Sequence, residues 1–398
     1  MGATLATAWA VAAVLLWRTS VPSGLSLTSL SAGGLFGAAR VDANADYARV
    51  LRFLLAGSLL AQLAALAGLA AVRRGLAARL PGPEIARAGI LGALVVLVTR
   101  VAALPFGVTG LWWRRREGVA RAGYGRWLVD QLVPLAAELA LGAVVAVALV
   151  LLARRLGRRW WLAAWAALCV LAAAWVLLGP LVLAPRLEPL RERELAAEIR
   201  RLARVEGVGD VRVEVRQART RTRAVNAEAI GVWPSTTVVL WDTLLEPNVG
   251  RGEVRFLVAH ELAHVARHHA EKGVAWFALL ALPCAWLLAR ATRLRRAEDV
   301  PLAALVAAML ALGLAPLANA ISRRYEREAD WTALQATLDP AAAEAVFRRF
   351  TRVSRTDPAP PRLWHLLAGT HPTLVERVEL ARVSSGRAGA PRGGPGSP

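Results

Sequence analysis

Residues 260–269 read HELAHVARHH, and this decapeptide holds four of the six histidines in the 398-residue chain. It contains an HExxH motif, formed by His260, Glu261 and His264. Because residues four apart lie on the same face of an α-helix, both imidazoles can reach one zinc ion. Glu261 lies about 100° round the helix from His260, where its carboxylate can take a proton from water beside the metal. The motif therefore predicts one Zn²⁺ ion per chain and a hydrolytic reaction.

A catalytic zinc ion needs three protein ligands and an open fourth position. His268 continues the helix face of His260 and His264, but it lies about 12 Å along the axis from His260, too far to share one ion. In the metzincin pattern a glycine turns the chain before the third histidine, and no glycine stands between His264 and His268. We therefore expect His268 and His269 to be solvated residues at the end of a helix.

A later segment, NAISRRYEREAD at 319–330, offers carboxylates instead. Its candidates for the third ligand are Glu326, Glu328 and Asp330. On a helix, Glu326 and Asp330 share a face, so that one can bind zinc while the other orients a ligand histidine from behind. Glu328 points to another face. The residues alone leave open which carboxylate binds the metal.

Outside these segments, the chain has the composition of a membrane protein. Residues of the types AVILMFWYC make up 56% of it, and its mean hydropathy is +0.43. A soluble protein of this size cannot bury so large an apolar fraction, which excludes a soluble cytosolic enzyme. Seven apolar runs approach the ~20 residues that a helix needs to cross a bilayer. The runs are 2–17, 53–72, 88–106, 132–153, 160–184, 273–290 and 300–319.

The first run and two charged residues leave alternatives open. A signal peptide begins with positive charge, but no Lys or Arg precedes the first run, so we expect a retained span. Arg100 lies in the third run and Glu138 in the fourth. Either both side chains reach the membrane surface from positions near the span ends, or they indicate a polar interior of the helix bundle.

The charge pattern also favours a membrane. The formal net charge is +20, from 49 Lys and Arg against 29 Asp and Glu, and Lys272 is the only lysine. The arginines cluster at the ends of apolar runs, where they contact anionic lipid headgroups, so we expect membrane lipids and no nucleic acid among the partners. Because such clusters flank nearly every loop, their count does not orient the protein. The two cysteines lie in apolar runs and predict neither a disulfide framework nor a metal site.

These patterns predict a mostly α-helical, polytopic membrane protein with about seven transmembrane helices and a zincin-like catalytic domain at the membrane surface. Strand-like segments at 211–217 and 236–242 indicate a small β-sheet in that domain. The Gly/Pro/Ser-rich end predicts a disordered tail. The predicted divisions are spans one to five at 1–185, the first catalytic part with HExxH at 186–272, spans six and seven at 273–320, the second catalytic part with the third ligand at 321–383, and the tail at 384–398.

HELAH, followed after two apolar runs by SRRYEREAD, resembles the integral-membrane CAAX prenyl protease type I family, whose zinc metallopeptidase superfamily also includes the HtpX-type heat-shock protease. Further segments similar to motifs of that family are VNAEAIG at 225–231, VVLWDTLL at 238–245 and THPTLVERV at 370–378. The resemblance covers most of the chain, and a seven-span protein fits the prenyl protease branch better than the HtpX branch. Where the family has an aromatic residue after Asn-Ala, this chain has Glu228, which is closer to HtpX and leaves the substrate preference open.

The resemblance implies a role for each matching residue. The implied zinc ligands are His260, His264 and Glu326, the last as the Glu of the family's ExxAD motif. Glu261 would be the general base and later the proton donor to the leaving amine. Asn226 and Ala227 would lie on a strand that binds the substrate as an added β-strand. His371 and Arg377 would steady the tetrahedral intermediate or the substrate.

Some of these roles have alternatives. His371 instead caps a helix if Thr-His-Pro is only a turn, and Arg377 instead forms a structural ion pair with a carboxylate of the site. Asp330 is expected to support a ligand histidine from behind. Glu253 lies two turns before His260 on the same helix face and is expected to do the same.

The sequence therefore predicts a membrane-integrated zinc metalloendopeptidase that resembles CAAX prenyl protease and acts on peptide or protein substrates, lipid-modified or membrane-embedded. The alternative is an HtpX-like quality-control protease of membrane proteins, and less favoured is a non-catalytic transporter or lipid-binding protein. A site-two-type intramembrane protease has HExxH within an apolar span, whereas RGEVRF and RHHAEKG flank the motif here. We expect a monomer in a prokaryotic cell membrane, with the catalytic site on the cytoplasmic side and the N-terminus outside.

Overall fold

The structure is a computed structural model that describes residues 2–25, 30–183, 187–232 and 236–388. These residues form thirteen α-helices and one four-stranded sheet. The first six helices are α1 (Gly2–Trp17), α2 (Ala32–Phe36), α3 (Ala38–Arg79), α4 (Glu84–Arg116), α5 (Tyr124–Leu156) and α6 (Trp160–Leu183). The others are α7 (Arg193–Val205), α8 (Arg251–Ala266), α9 (His269–Ala291), α10 (Val300–Thr337), α11 (Pro340–Val353), α12 (Arg362–Ala368) and α13 (Leu374–Ala388). The strands are β1 (Glu188–Pro189), β2 (Arg212–Arg216), β3 (Ala227–Ile230) and β4 (Thr237–Trp241).

Five helical stretches of the described residues are long and apolar enough to cross a membrane. They are Ala38–Arg79, Glu84–Arg116, Tyr124–Gly179, His269–Ala291 and Ala297–Thr337. The third stretch contains α5 and most of α6, with Gly157 between them at a φ of +56°. The first predicted run is the 16-residue α1, shorter than a span. A multi-pass, mostly helical protein is thus confirmed, while seven spans stay a prediction.

One compact unit is formed by the described residues up to Ala13, by Arg49–Ala173 and by Val274–Ala315. Within it, α4 and α5 pack closely where two glycines meet. A Cβ atom on Gly142 would lie 2.9 Å from the carbonyl oxygen of Gly92, so the two backbones approach too closely for a side chain. Contact through small residues is how helices associate in lipid, where apolar burial gives little driving force.

Arg100 of α4 and Glu138 of α5 form a bidentate ion pair. Arg100 Nε lies 2.7 Å from Glu138 Oε2, and a second guanidinium nitrogen contacts the other carboxylate oxygen. Charges within membrane helices are tolerated when they pair. The two charges therefore compensate each other across neighbouring helices rather than reaching the surface separately.

The second compact unit is formed by Val14–Ala48, Ala174–Gly273 and the described residues from Pro316 on. Its core is built from the sheet and from helices α7, α8, α11 and α13. Phe256 of α8 and Phe347 of α11 are fully buried and meet edge to face, with ring centroids 5.6 Å apart. This packing fixes α8, the helix that carries HExxH.

The sheet of the second unit has the strand order β1-β2-β4-β3. β2 and β4 are parallel, and the two outer pairs are antiparallel. Val238, Val239 and Leu240 of β4 are fully buried, because both faces of this inner strand are covered. β3 is an edge strand. The small sheet is confirmed, and β2 and β4 lie in the two segments predicted as strand-like.

The predicted divisions stay predictions, and the described residues group as follows at two places within them. Residues 14–48, placed among the spans by their position in 1–185, belong to the second unit. The backbone N–H of Leu30 donates to Glu379 Oε1 at 2.6 Å, which ties this segment to α13. At the C-terminal end, α13 continues to Ala388, because Ser384 is still buried against the unit. The remainder of the predicted tail, 389–398, lies outside the described residues.

Candidate metal centre

The three expected zinc ligands converge in the second unit. α8 presents His260 and His264 one turn apart, and the second half of α10 presents Glu326. His260 Nε2 lies 3.1 Å from Glu326 Oε2, His264 Nε2 lies 3.5 Å from Glu326 Oε1, and the two Nε2 atoms are 3.3 Å apart. Among the described residues, these three form the one group of His, Cys, Asp and Glu side chains able to hold a metal ion.

The donor atoms fit a tetrahedral zinc site. Bond lengths of about 2.0–2.2 Å place neighbouring ligand atoms ~3.3 Å apart around a tetrahedral zinc ion. The observed separations of 3.1, 3.3 and 3.5 Å are close to this value, with the first and last measured to different oxygens of Glu326. Glu326 Oε2 is buried and makes no hydrogen bond of good geometry among the described residues, although His260 Nε2 and His371 Nε2 lie 3.1 and 3.3 Å away, as expected for an oxygen that faces a cation. Three protein ligands leave a fourth position for water or substrate, which is the pattern of a catalytic site.

Buried charged groups support His260 from behind. Its Nδ1 lies 2.9 Å from Asp330 Oδ1. Burial lowers the pKa of His260, but in the metal-free site Asp330 and Glu326 outweigh burial and raise it to about 10, so the two carboxylates favour positive charge at this position. The guanidinium of Arg377 binds Asp330 through two hydrogen bonds of 2.7 and 2.6 Å. Asp330 is therefore held between His260 and Arg377.

Glu261 contacts the edge strand of the sheet. The backbone N–H of Ala229 in β3 donates to Glu261 Oε2 at 3.2 Å. Burial raises the pKa of the Glu261 carboxyl to about 7, although the charge of His260 opposes this increase. A group that takes up and returns a proton acts best with a pKa near the working pH. In the metal-free site, Glu261, next to His260 on α8, therefore has an environment that suits a general base.

The outer edge of β3 directs backbone groups toward the same region. Trp241 N donates to Asn226 O at 3.0 Å, so the backbone of Asn226 faces β4. In an antiparallel ladder, alternate residues direct their N–H and C=O groups to the opposite side. Ala227 and Ala229 are such residues, and Ala229 N–H reaches Glu261. The Ala227 side chain is buried and that of Asn226 is half-buried. At this edge of the strand, backbone groups are therefore more available for binding than these side chains.

His371 and Arg377 occupy different environments. The His371 side chain is 55% exposed, and its Nε2 lies 3.3 Å from Glu326 Oε2. Arg377 is buried, with its guanidinium over the ring of Phe347 and engaged by Asp330. The structure thus favours the ion-pair alternative for Arg377 over direct contact with a substrate, whereas His371 is accessible to one.

Glu253 does not support the ligands as expected. It lies at the start of α8, where Oε1 accepts the N–H of Gly250 at 3.0 Å. Arg349 of α11 binds both carboxylate oxygens at 2.6 and 2.9 Å. These partners satisfy Glu253 two turns before His260, so its role is to fix the beginning of the motif helix.

The expectation for His269 is wrong, whereas His268 is exposed as expected. His269 is 7% exposed, and its Nδ1 lies 2.9 Å from His264 Nδ1. The physical reason is a turn without glycine, because His268 itself adopts φ +56° between α8 and α9. Glu328, on another face from Glu326, contacts His269 Nε2 at 3.0 Å. The only sequence signal for His269 is the density of histidines in the decapeptide.

Two imidazoles and a carboxylate beside a buried glutamate define a metal-dependent hydrolase, and the neighbouring strand edge suits an extended peptide. Two family models match the chain. That of peptidase family M48 matches residues 189–384, and that of the CAAX prenyl protease N-terminal region, described as five membrane helices, matches residues 48–188. The chain belongs to peptidase family M48 and is a membrane metallopeptidase similar to CAAX prenyl protease.

Individual relatives agree with this assignment. An uncharacterized metalloprotease of Bacillus subtilis, YhfN, is 25% identical over 302 residues, which cover 72% of this chain and 71% of that protein. A CAAX prenyl protease 1 homolog of Arabidopsis thaliana is 24% identical over 304 residues, which cover 71% and 70%. The crystal structure of S. mikatae Ste24p has the same fold, with a TM-score of 0.76 and 16% identity over 94% of this chain and 96% of that one.

Proposed function

We propose that the metal of this peptidase is one zinc ion per chain, held by His260, His264 and Glu326. The observation that carries the proposal is the convergence of their donor atoms at separations of 3.1–3.5 Å. Imidazole and carboxylate ligands with an open position suit zinc. When bound, zinc polarises the scissile carbonyl and lowers the pKa of water.

We propose that Glu261 moves the proton of the reaction, from the attacking water to the leaving amine. An extended substrate would add to the outer edge of β3, where Ala227 and Ala229 direct backbone groups outward. His371, exposed beside Glu326, would donate to the developing oxyanion. Arg377 would act indirectly, by holding Asp330 against His260.

For the substrate, we propose proteins with lipid-modified C-terminal tails of the C-a-a-X type. The N-terminal family match at 48–188 and the name of the Arabidopsis relative support this class. The alternative is HtpX-like quality control of membrane proteins, favoured by Glu228, whose Oε1 accepts from Trp241 Nε1 at 2.9 Å. A carboxylate in place of the family's aromatic residue changes the chemistry of the substrate strand.

For the membrane arrangement, we propose seven spans and a cytoplasmic catalytic site in a prokaryotic cell membrane. α5 and α6 have 33 and 24 residues, and the turn at Gly157 allows each to cross separately. α1 would be the first span, at the short end of the range. Because the described site draws its residues from one chain, we propose a monomer.

Product mapping tests the proposed function. The purified zinc-loaded protein in lipid vesicles is incubated with a prenylated C-terminal peptide, with the same peptide lacking the prenyl group, and with an unfolded membrane protein. We expect cleavage of the prenylated peptide, detected by mass spectrometry and absent with Glu261→Gln. Preference for the unfolded protein would favour quality control, and cleavage of none of the three would contradict both substrate classes.

A further inference from the structure

The turn between α8 and α9 brings a third imidazole to the metal group. α8 ends at Ala266, and His268 takes the left-handed conformation that glycine usually adopts at such a position. The chain then restarts as α9 with His269, whose ring lies edge to face with that of His264, at a centroid distance of 4.9 Å. This turn thus places a residue five positions further along the chain against the side of a proposed ligand.

The contact involves the nitrogen of His264 that does not face the metal group. His264 Nε2 faces Glu326 and His260, whereas Nδ1 lies 2.9 Å from His269 Nδ1. A histidine that binds a metal through one nitrogen carries a proton on the other and donates it to a neighbouring acceptor. His269 stands where that acceptor is required.

A buried carboxylate completes the chain of contacts. His269 Nε2 lies 3.0 Å from Glu328 Oε2, and these two side chains are 5% and 3% exposed. Glu328 Oε1 accepts the backbone N–H of Ser20 at 2.6 Å. A neutral imidazole has one donor and one acceptor nitrogen. With a metal ion on His264 Nε2, His269 would use both, since Nδ1 would accept from His264 and Nε2 would donate to Glu328.

The orientation of the His269 ring is fixed independently. It stacks on Tyr325, with ring centroids 4.6 Å apart and planes 10° from parallel. The Tyr325 hydroxyl donates to Leu16 O at 2.7 Å, and Lys272 Nζ lies 3.8 Å from Glu328. The ring is held on its face and at both nitrogens.

We propose that His269 and Glu328 are positioning residues for the metal ligand His264, acting as a hydrogen-bonded relay that fixes its tautomer and ring orientation. His260 has a carboxylate, Asp330, directly at its Nδ1, whereas His264 reaches its carboxylate through an intervening imidazole. The inference rests on the proposed zinc site.

Zinc affinity, measured by competition with a chelator, tests this relay. His269→Phe keeps a ring to stack on Tyr325 but removes both nitrogens, and loss of such a partner weakens metal binding about 10–100-fold. His269→Gln keeps a carbonyl for His264 and an amide for Glu328 but removes the ring. We expect the Phe variant to lose zinc affinity and the Gln variant to recover much of it.

The controls separate the relay from packing and from the metal site itself. His268→Asn alters the exposed neighbour, tolerates its positive φ and should leave affinity unchanged. Wild-type affinity in His269→Phe together with a loss in His269→Gln would show a packing role and overturn the relay. If the wild-type protein itself binds no zinc, the proposed function fails and the relay fails with it.

Discussion

At the scale of single residues, a substitution at Glu261 distinguishes the loss of catalysis from the loss of the metal ion. We expect Glu261→Gln to keep its zinc and to lose about 10²–10⁴ in turnover, because it removes the proton acceptor but not a ligand. Metal content and peptide turnover are measured on the same preparation. Glu271→Gln, at an exposed carboxylate that contacts His268, is the matched control. Turnover near the wild-type rate in Glu261→Gln would show that another group is the base.

Glu326 and Glu328 form a second residue-scale test, because they stand two positions apart in α10 and face different partners. We expect Glu326→Ala to lose zinc, since it removes a ligand. Glu328→Ala should keep zinc at reduced affinity, since it removes only the partner of His269. Metal analysis after dialysis distinguishes the two. Loss of metal from Glu328→Ala alone would mean that the third ligand is misassigned.

The residues of the site differ in how far the sequence predicts them. His260 and His264 follow from helix geometry, and Glu326 follows from a motif, so their convergence was expected. The position of His269 depends on the backbone angle of His268, which no local rule assigns to a histidine. The position of Arg377 depends on packing between α10 and α13, which periodicity does not specify.

At the scale of elements, α8 depends on the ion pair between Glu253 and Arg349. Burial disfavours the Glu253 carboxylate, but Arg349 and the Gly250 N–H outweigh burial and lower its pKa below the usual 4.5. A depressed pKa stabilises the folded state above pH 4.5, and this contribution is lost as the pH falls through the lower folded value. Arg349 lies 96 residues after Glu253 in the chain, so no local sequence pattern predicts that the two residues pair.

Thermal unfolding at two pH values tests this pair. We expect Arg349→Met to destabilise the second unit by about 3–5 kcal/mol at pH 7, because it leaves a buried carboxylate unpaired. The difference from wild type should narrow as the pH falls below 4.5, because Glu253 of the wild-type protein then takes up a proton and the ion pair is lost. Arg382→Met, which removes the half-exposed arginine paired with Glu344 of the same helix, is the control. A difference that does not depend on pH would show that packing rather than charge is lost.

At the scale of the whole molecule, the proposed orientation is testable by labelling. Residues 186–272 and 321–388 supply one site and must share a side of the membrane, so seven spans place the N-terminus opposite. We expect an impermeant thiol reagent on intact cells to label a single-Cys variant at Gly2 but not at Ser385, which is exposed on α13. Labelling only at Ser385 would reverse the orientation, and labelling at both would show an even number of spans.

The proposed metal ligands come from two separate parts of the chain, α8 and α10, and this separation has a consequence for biosynthesis. During translation His260, Glu261 and His264 emerge first, and 61 further residues, including all of α9 and the apolar part of α10, are made before Glu326. At about 5–20 residues per second, the ribosome needs roughly 3–12 s to supply the proposed third ligand. The nascent chain therefore carries an incomplete site until both apolar segments have been synthesised. A chain that is truncated within these segments lacks the proposed third ligand, so we expect it to have no protease activity.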